Sequence, residues 1–410
     1  MELDDIPRLN AAELHGGRHA LYLSRLAHVR EGMRMHNVAV MLVCDPNQIF
    51  YATGASNMQL WSTRTPARYL LLFQDGPSVL FDHVGGVHLA QGLPTITDIH
   101  KAEGLDYVSS GGDMASASAR FAADITSLVR DHDTAIDTIH IDRLPYQAVD
   151  ALRAKGFEVR DALEPLSLTR SIKQEIELPY VMEAMRRVEE GVARLENKAE
   201  PDKTEVETWA EFHYSLMAKE GQYASTRLFQ SGPNTFPYFQ EAGGRVLQKG
   251  DLLCLDTDAV AFENYAVDFS RTFLCGNGRA TVDQKLLYAR AREQLEWNAE
   301  LLRPHVEYRE LAEKAWNVPE EHLQSRYYCV GHGLGMAGEF PNIPHHDTSD
   351  GTYPLEGKLE PGMIICIESY IGWDKSNEGV KLEDQFLIHE TGALRMSNYS
   401  FDERLQTRMI

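Results

Sequence analysis

The stretch "DTDAVAFENYAVD" at 256–268 sets three aspartates, Asp256, Asp258 and Asp268, among strand-forming neighbours. Side chains alternate faces along a strand, so Asp256 and Asp258 point the same way, roughly 6–7 Å apart. If the chain turns near Glu263–Asn264, Asp258 falls opposite Asp268 and three carboxylates share one face. Such a group is costly to bury unless cations neutralise it. The flanks "LLCL" and "AVDFSRTFLC" are too apolar for a fully exposed hairpin. The competing reading is a solvated turn with an Asp–Arg271 ion pair.

Other acidic strands favour the cation. "GMIICIESYIG" puts Glu368 in an otherwise apolar run, "GVKLEDQFLIHE" does the same for Glu383, and "YYCVGHGLGM" sets His332 before a pair of glycines. Each alone has an ordinary explanation, as an edge glutamate or a satisfied core histidine. Together, carboxylates and one imidazole form a hard donor set suited to Mn, Fe, Co or Zn, most naturally as two divalent ions.

Those residues need a frame. The chain has 410 residues, 43% hydrophobic and 25% charged, which suits a soluble globular protein of two or three domains. "VAVMLVCD" (38–45), "RYLLLF" (68–73) and "TIHIDR" (138–143) read as strands, and "SASARFAADITSLVRDH" as an amphipathic helix. This is an α/β domain over 1–170. A long amphipathic helix follows, with a proline near its start, where it is tolerated. Over 171–410, strands at 252–258, 265–274, 363–371 and 379–388 are grouped rather than alternating with helices, and a helix covers 283–302. That pattern predicts an antiparallel α+β domain.

The formal net charge of −21 and the lack of a Lys/Arg cluster argue against nucleic acid as a partner. No apolar run approaches the roughly 20 residues that span a bilayer, and the acidic start "MELDDIPRLN" is no secretory signal, so the expectation is a cytoplasmic protein with no membrane partner. Five widely spaced cysteines read as reduced core residues.

The order Asp258, Asp268, His332, Glu368, Glu383 resembles the ligand order of the pita-bread metalloenzymes: methionine aminopeptidase, proline dipeptidase, aminopeptidase P and creatinase. The resemblance covers about 172–400. It implies a C-terminal pita-bread domain, with a smaller creatinase-like N-terminal domain. Within that superfamily, "ATGASNMQLWSTRTPARYLL", "SGPNTFPYFQE" and "DTD…D" resemble the DddP-type dimethylsulfoniopropionate (DMSP) lyases. Asp268 follows Asp256 by twelve residues and Asp258 by ten, where other members space their two ligand aspartates by eleven. The resemblance implies that Asp256 joins the metal shell, and that a homodimer forms in which a loop around Trp61 reaches the partner's site. Tyr327 matches an active-site tyrosine of that group, and Asp142 and Trp61 match positions used near the substrate.

The chain also departs from both patterns. The peptidases' second histidine is missing from "HGLGMAGEFP". His345 and His346 follow in "IPHHD", which reads as a solvated loop. The aspartate proposed as the base in DddP lyases is Gly338 here. The lyase reading therefore seeks its base in Tyr327, Glu339 or a metal-activated group, with the sulfonium resting on Trp61, Tyr238 and Phe239. A second reading is a dinuclear metallohydrolase acting on C–N or peptide bonds, like Xaa-Pro dipeptidase or creatinase, with Glu368 or Glu339 shuttling the proton. A third is a non-catalytic binding homologue.

Overall fold

The reversal expected at Glu263–Asn264 occurs there, with both residues at positive φ (52° and 60°). A computed structural model describes residues 2–347 and 356–406. It divides into two compact units, Leu9–Arg170 and the combination of Met1–Arg8 with Ser171–Ile410.

The unit Leu9–Arg170 is built on a six-stranded mixed sheet. Its central strand, Val40–Val43, pairs antiparallel with Tyr69–Phe73 and parallel with Thr138–Ile141. All three lie inside the runs read as strands. The helix Met114–His132 is held at its start by the Asp113 side chain, which accepts from the Ser116 N–H. It buries Ala117, Phe121, Ala122, Ile125 and Val129, a spacing that keeps one helical face on the sheet.

In the second unit the sheet is antiparallel, as grouped strands predict. Its order runs Gly338–Pro344, Cys329–Leu334, Ile364–Trp373, Glu378–His389, Ser270–Leu274, Leu252–Asp256 and Phe229–Ser231, with Gly392–Arg395 added beside Glu378–His389. The helix Val282–Glu300 begins at a capping box between Thr281 and Gln284. Its Leu287, Tyr288, Ala291 and Leu295 pack into one core with Ile365, Ile367, Val380 and Leu382. Burying an aliphatic side chain of this size contributes about 1.5–3 kcal/mol. That choice fixes the other face of the same strands. With Ile365 and Ile367 on the helix, Cys366 and Glu368 must face away, and with Val380 and Leu382 on it, so must Lys381 and Glu383.

Two expectations about this unit need correcting. The run 265–274 divides into the strands Ala266–Val267 and Ser270–Leu274, which belong to different sheets, and residues 252–258 are not one continuous strand either. The strand ends at Asp256, and Asp258 sits at φ 37° before a short strand, Ala259–Val260. Val260 and Ala259 pair with Ala266 and Val267, and with Tyr223–Ala224, in a separate three-stranded sheet. A left-handed non-glycine residue costs about 1–3 kcal/mol. The bend means that Asp256 and Asp258 are not stacked along a flat strand.

Candidate metal centre

Four strands bring the acidic residues into line. Glu368 is the register partner of Glu383, Glu383 of Ser270, and Ser270 of Asp256. Two residues along Ile364–Trp373, Cys366 pairs with His332. The hairpin adds Asp268. His332 Nε2 lies 3.3 Å from Glu368 Oε1, and 3.8 Å from both Asp268 Oδ2 and Glu383 Oε1. One donor atom each from Asp268, His332, Cys366 and Glu383 falls within 4.8 Å of all the others. Asp258 is half-buried and its carboxylate accepts from the Thr226 hydroxyl at 2.6 Å. Asp256 accepts from Tyr238 at 2.6 Å and from Ser270 at 2.8 Å.

The solvated-turn reading fails here, because Asp256 and Asp268 are buried. Arg271 is on the opposite face, 2.7 Å from Asp384.

Electrostatics show what the cluster lacks. Burial pushes Asp268 well above the usual carboxylate range, and the carboxylates of Glu383 and Asp258 push it further. Glu383 is raised by burial and by Glu368, and Asp258 is pushed up to about 6 by burial and Asp256. Burial also works against an ionised Asp256, but the Lys381 ammonium and the Tyr238 and Ser270 hydroxyls outweigh it and hold that group at about 2. Burial would lower His332, yet its bond and charge interaction with Glu368 raise it to about 9. Among the described residues, Asp268 Oδ1 and Glu383 Oε1 are buried and accept no hydrogen bond. Two acceptors without donors, in a carboxylate–imidazole set, fit divalent cations.

Above the carboxylates lies a patch of aromatic rings. Tyr238 is 4.7 Å from Phe239, 5.7 Å from Tyr327 and 4.9 Å from Tyr370, centroid to centroid. Phe239 is 55% exposed and sits at φ 71°, its ring 5.4 Å from that of Tyr327. Burial and then Glu368 push the Tyr327 phenol far above its usual value.

Glu339 is engaged elsewhere. It accepts from Lys173 Nζ at 3.2 Å and from the Met336 N–H at 2.8 Å. Gly338 faces open space, and a Cβ built there meets nothing within 4 Å. His345 does not lie in a solvated loop. It is buried, and its Nε2 donates to the Tyr327 carbonyl at 3.1 Å. The sequence had set it in a polar stretch, but the strand Gly338–Pro344 carries it inward.

Two sequence-predicted residues belong to the unit Leu9–Arg170. Trp61, on the helix Gln59–Arg64, is 43% exposed, with its ring edge-on to His83 at 6.1 Å. Asp142 is buried, and its carboxylate accepts the backbone N–H groups of Cys44 and Asp45 at 2.8 Å and of Arg143 at 2.6 Å.

The sequence reading missed Lys381 and the position of Cys366. Lys381 is fully buried with Nζ among the carboxylates. Its parity with Glu383, two residues on, was the available signal. Cys366 is free, like the other four cysteines, but its Sγ faces the donor cluster.

Comparison with known proteins agrees with this geometry. The sequence signature of Metallopeptidase family M24 matches residues 180–390, which hold every predicted donor. The chain is 32% identical over 374 residues to dimethylsulfoniopropionate lyase DddP of Roseovarius nubinhibens, covering 90% of this chain and 83% of that protein. It is 27% identical over 264 residues to Xaa-Pro dipeptidase of Pyrococcus furiosus, covering 62% and 71%. The prolidase structure from Pyrococcus horikoshii superposes with a TM-score of 0.71 at 21% identity, over 92% of this chain and 99% of that one. Among the described residues no helix is long and apolar enough to cross a membrane. With more than half of the chain under the family signature and the pita-bread fold around it, this protein belongs to metallopeptidase family M24.

Proposed function

We propose that this chain is a metal-dependent lyase of the DddP kind, cleaving DMSP or a close betaine-like analogue to dimethyl sulfide and acrylate. The observation that carries the reading is the reach of the likeness to the Roseovarius lyase, 90% of the chain and so both compact units.

Asp256, Asp258, Asp268, His332, Glu368 and Glu383 would hold two divalent ions, which when bound supply a Lewis acid for the substrate carboxylate. Tyr238 and Phe239 would receive the sulfonium on their faces, contacts worth about 0.5–2 kcal/mol. The left-handed backbone of Phe239 supports this, since strain of that kind gathers at functional positions. In a cytoplasmic homodimer, the exposed Trp61 would be a further aromatic face, offered by the second subunit. Asp142, with three backbone amides on its carboxylate, would shape its own loop rather than touch substrate.

The base is reassigned. Gly338 has no side chain and Glu339 is ion-paired with Lys173, so the proposal gives the role to Tyr327. Its ring lies 4.8 Å from the Lys381 ammonium; burial is the first cause of its raised pKa and Glu368 the second, and bound cations would offset the second. Its phenolate takes the α-proton. The C–H pair becomes the Cα–Cβ double bond, and the Cβ–S pair leaves on sulfur as neutral dimethyl sulfide.

Headspace dimethyl sulfide tests this, with purified protein loaded separately with Fe, Mn, Zn and Co and supplied with DMSP. Release well above a Glu383→Ala control supports the lyase. No release from fully loaded protein sinks it and turns the search to small amides and Xaa-Pro dipeptides.

A further inference from the structure

Lys381 lies inside the carboxylate cluster. Its side chain is fully buried, with Nζ 2.6 Å from Glu368 Oε2, 2.8 Å from Glu383 Oε2 and 3.3 Å from Asp256 Oδ2. It also donates to Ser270 Oγ at 2.7 Å. An ammonium has three N–H donors, and Glu368, Glu383 and Ser270 account for them. Tyr327 and Tyr238 close the space around it, their ring centroids 4.8 and 5.7 Å from Nζ.

This bonding turns the two glutamates the same way. Each gives Oε2 to Lys381, and each leaves Oε1 toward His332, at 3.3 Å for Glu368 and 3.8 Å for Glu383. The buried Oε1 of Glu383, which accepts no hydrogen bond, is on that side. Formal charge points the same way. Ionised Asp256, Asp258, Asp268, Glu368 and Glu383 are balanced by one ammonium and two divalent ions, with no charge left over. Without the ammonium, the same ions leave one negative charge uncompensated in a buried site.

We propose that Lys381 is the internal counter-ion of the metal centre. It is a positioning residue that aims one oxygen of Glu368 and of Glu383 at the metal side, holds the carboxylates together, and lowers the pull of the site on divalent ions. The proposal rests on the metal reading above, and it is independent of which reaction the site performs. A full charge at these distances outweighs the hydrogen bonds that aim the glutamates, so its removal tightens metal binding.

The test compares wild type, Lys381→Met and Lys381→Arg. Co(II) affinity is read by competition with a chromophoric chelator, and melting temperature is read with chelator and with Co(II). Lys381→Met should bind Co(II) at least ~10-fold tighter than wild type. It should also melt lower, with a larger loss in chelator than in Co(II). Lys381→Arg, which keeps the charge, should stay within about threefold of wild-type affinity. A merely structural lysine would leave affinity unchanged and lower the melting temperature equally with and without metal, and that result overturns the proposal. So does a Lys381→Met protein that cannot be recovered folded from Co-supplemented growth, because the ion should replace the missing charge. A wild type that binds no Co(II) instead overturns the metal reading, and this inference with it.

Discussion

Asp142 and Asp268 are both buried aspartates just beyond the end of a strand, one in each compact unit. Burial works against the charged form of both. They differ in what reaches their oxygens. Asp142 receives three backbone N–H groups, while Asp268 has an oxygen with no donor and four further carboxylates, Glu383, Asp258, Asp256 and Glu368, acting on it. Burial alone therefore does not mark a metal ligand. A buried oxygen left without a donor among other carboxylates does; both oxygens of Asp142 accept backbone N–H groups, although burial still holds its carboxyl up at about 6.

The sharpest way to break this contrast is to count metal. Asp268→Ala or His332→Ala should drop bound metal, measured by inductively coupled plasma mass spectrometry, to below about a tenth of wild type, since loss even of an outer-shell partner typically costs 10–100-fold. Asp142→Ala should leave metal content unchanged. Full loading in both site variants would sink the ligand assignment, and loss of metal in Asp142→Ala would erase the distinction between the two aspartates.

The next effect concerns the position that lacks a side chain. Gly338 is not at positive φ, and an added Cβ meets nothing within 4 Å, so Gly338→Asp fits without strain. If the reaction is β-elimination, a carboxylate restored here as a second base beside Tyr327 should raise dimethyl sulfide release by about tenfold or more, less than the 10²–10⁴-fold that a first positioned base contributes. An unchanged rate would mean that residue 338 does not face the α-proton.

Asp142→Ala then separates a structural carboxylate from a ligand. It leaves three backbone N–H groups without their acceptor, and the expected cost is about 3–5 kcal/mol of stability, read by chemical denaturation. A loss under about 1 kcal/mol would mean that water takes over those amides easily.

How far the sequence could be read follows the same division. Strand alternation was legible wherever one face had to be apolar, so the donor-bearing strands at 363–371 and 379–388 lie within a few residues of the observed Ile364–Trp373 and Glu378–His389. The resemblance alone placed Asp256 in the metal shell, but the acidic donors stood out because an acid in an apolar run is conspicuous, and His332 because it precedes a pair of glycines. Lys381 did not, because a lysine beside acids reads as a solvated charge until four strand registers place it among them. Cys366 looked like any core thiol for the same reason. The bend at Asp258 was hidden because nothing in "DTDAV" requires a positive φ, and the convergence of the hairpin carboxylates supplies the reason only afterwards.

The smallest effect sets two histidines of this unit against each other. His332 is raised to about 9, whereas burial, with Arg326 and His346 adding to it against Asp347 and the Tyr327 carbonyl, lowers His345 to about 4 from an ordinary 6.5. A folded pKa below the unfolded one means that, as pH falls through 6.5, the unfolded chain takes up a proton that the folded chain refuses. Stability contributed by neutral His345 is thus present above about pH 6.5 and is lost progressively toward pH 4, by at most about 3 kcal/mol. His345→Gln keeps an N–H donor for the Tyr327 carbonyl but cannot titrate. Between pH 6.5 and 4.5 the melting temperature of wild type should fall further than that of the variant, with both held metal-free so that the donor carboxylates titrate alike in each. Parallel curves would mean that His345 opens to solvent before it protonates, and its burial would then matter for packing alone.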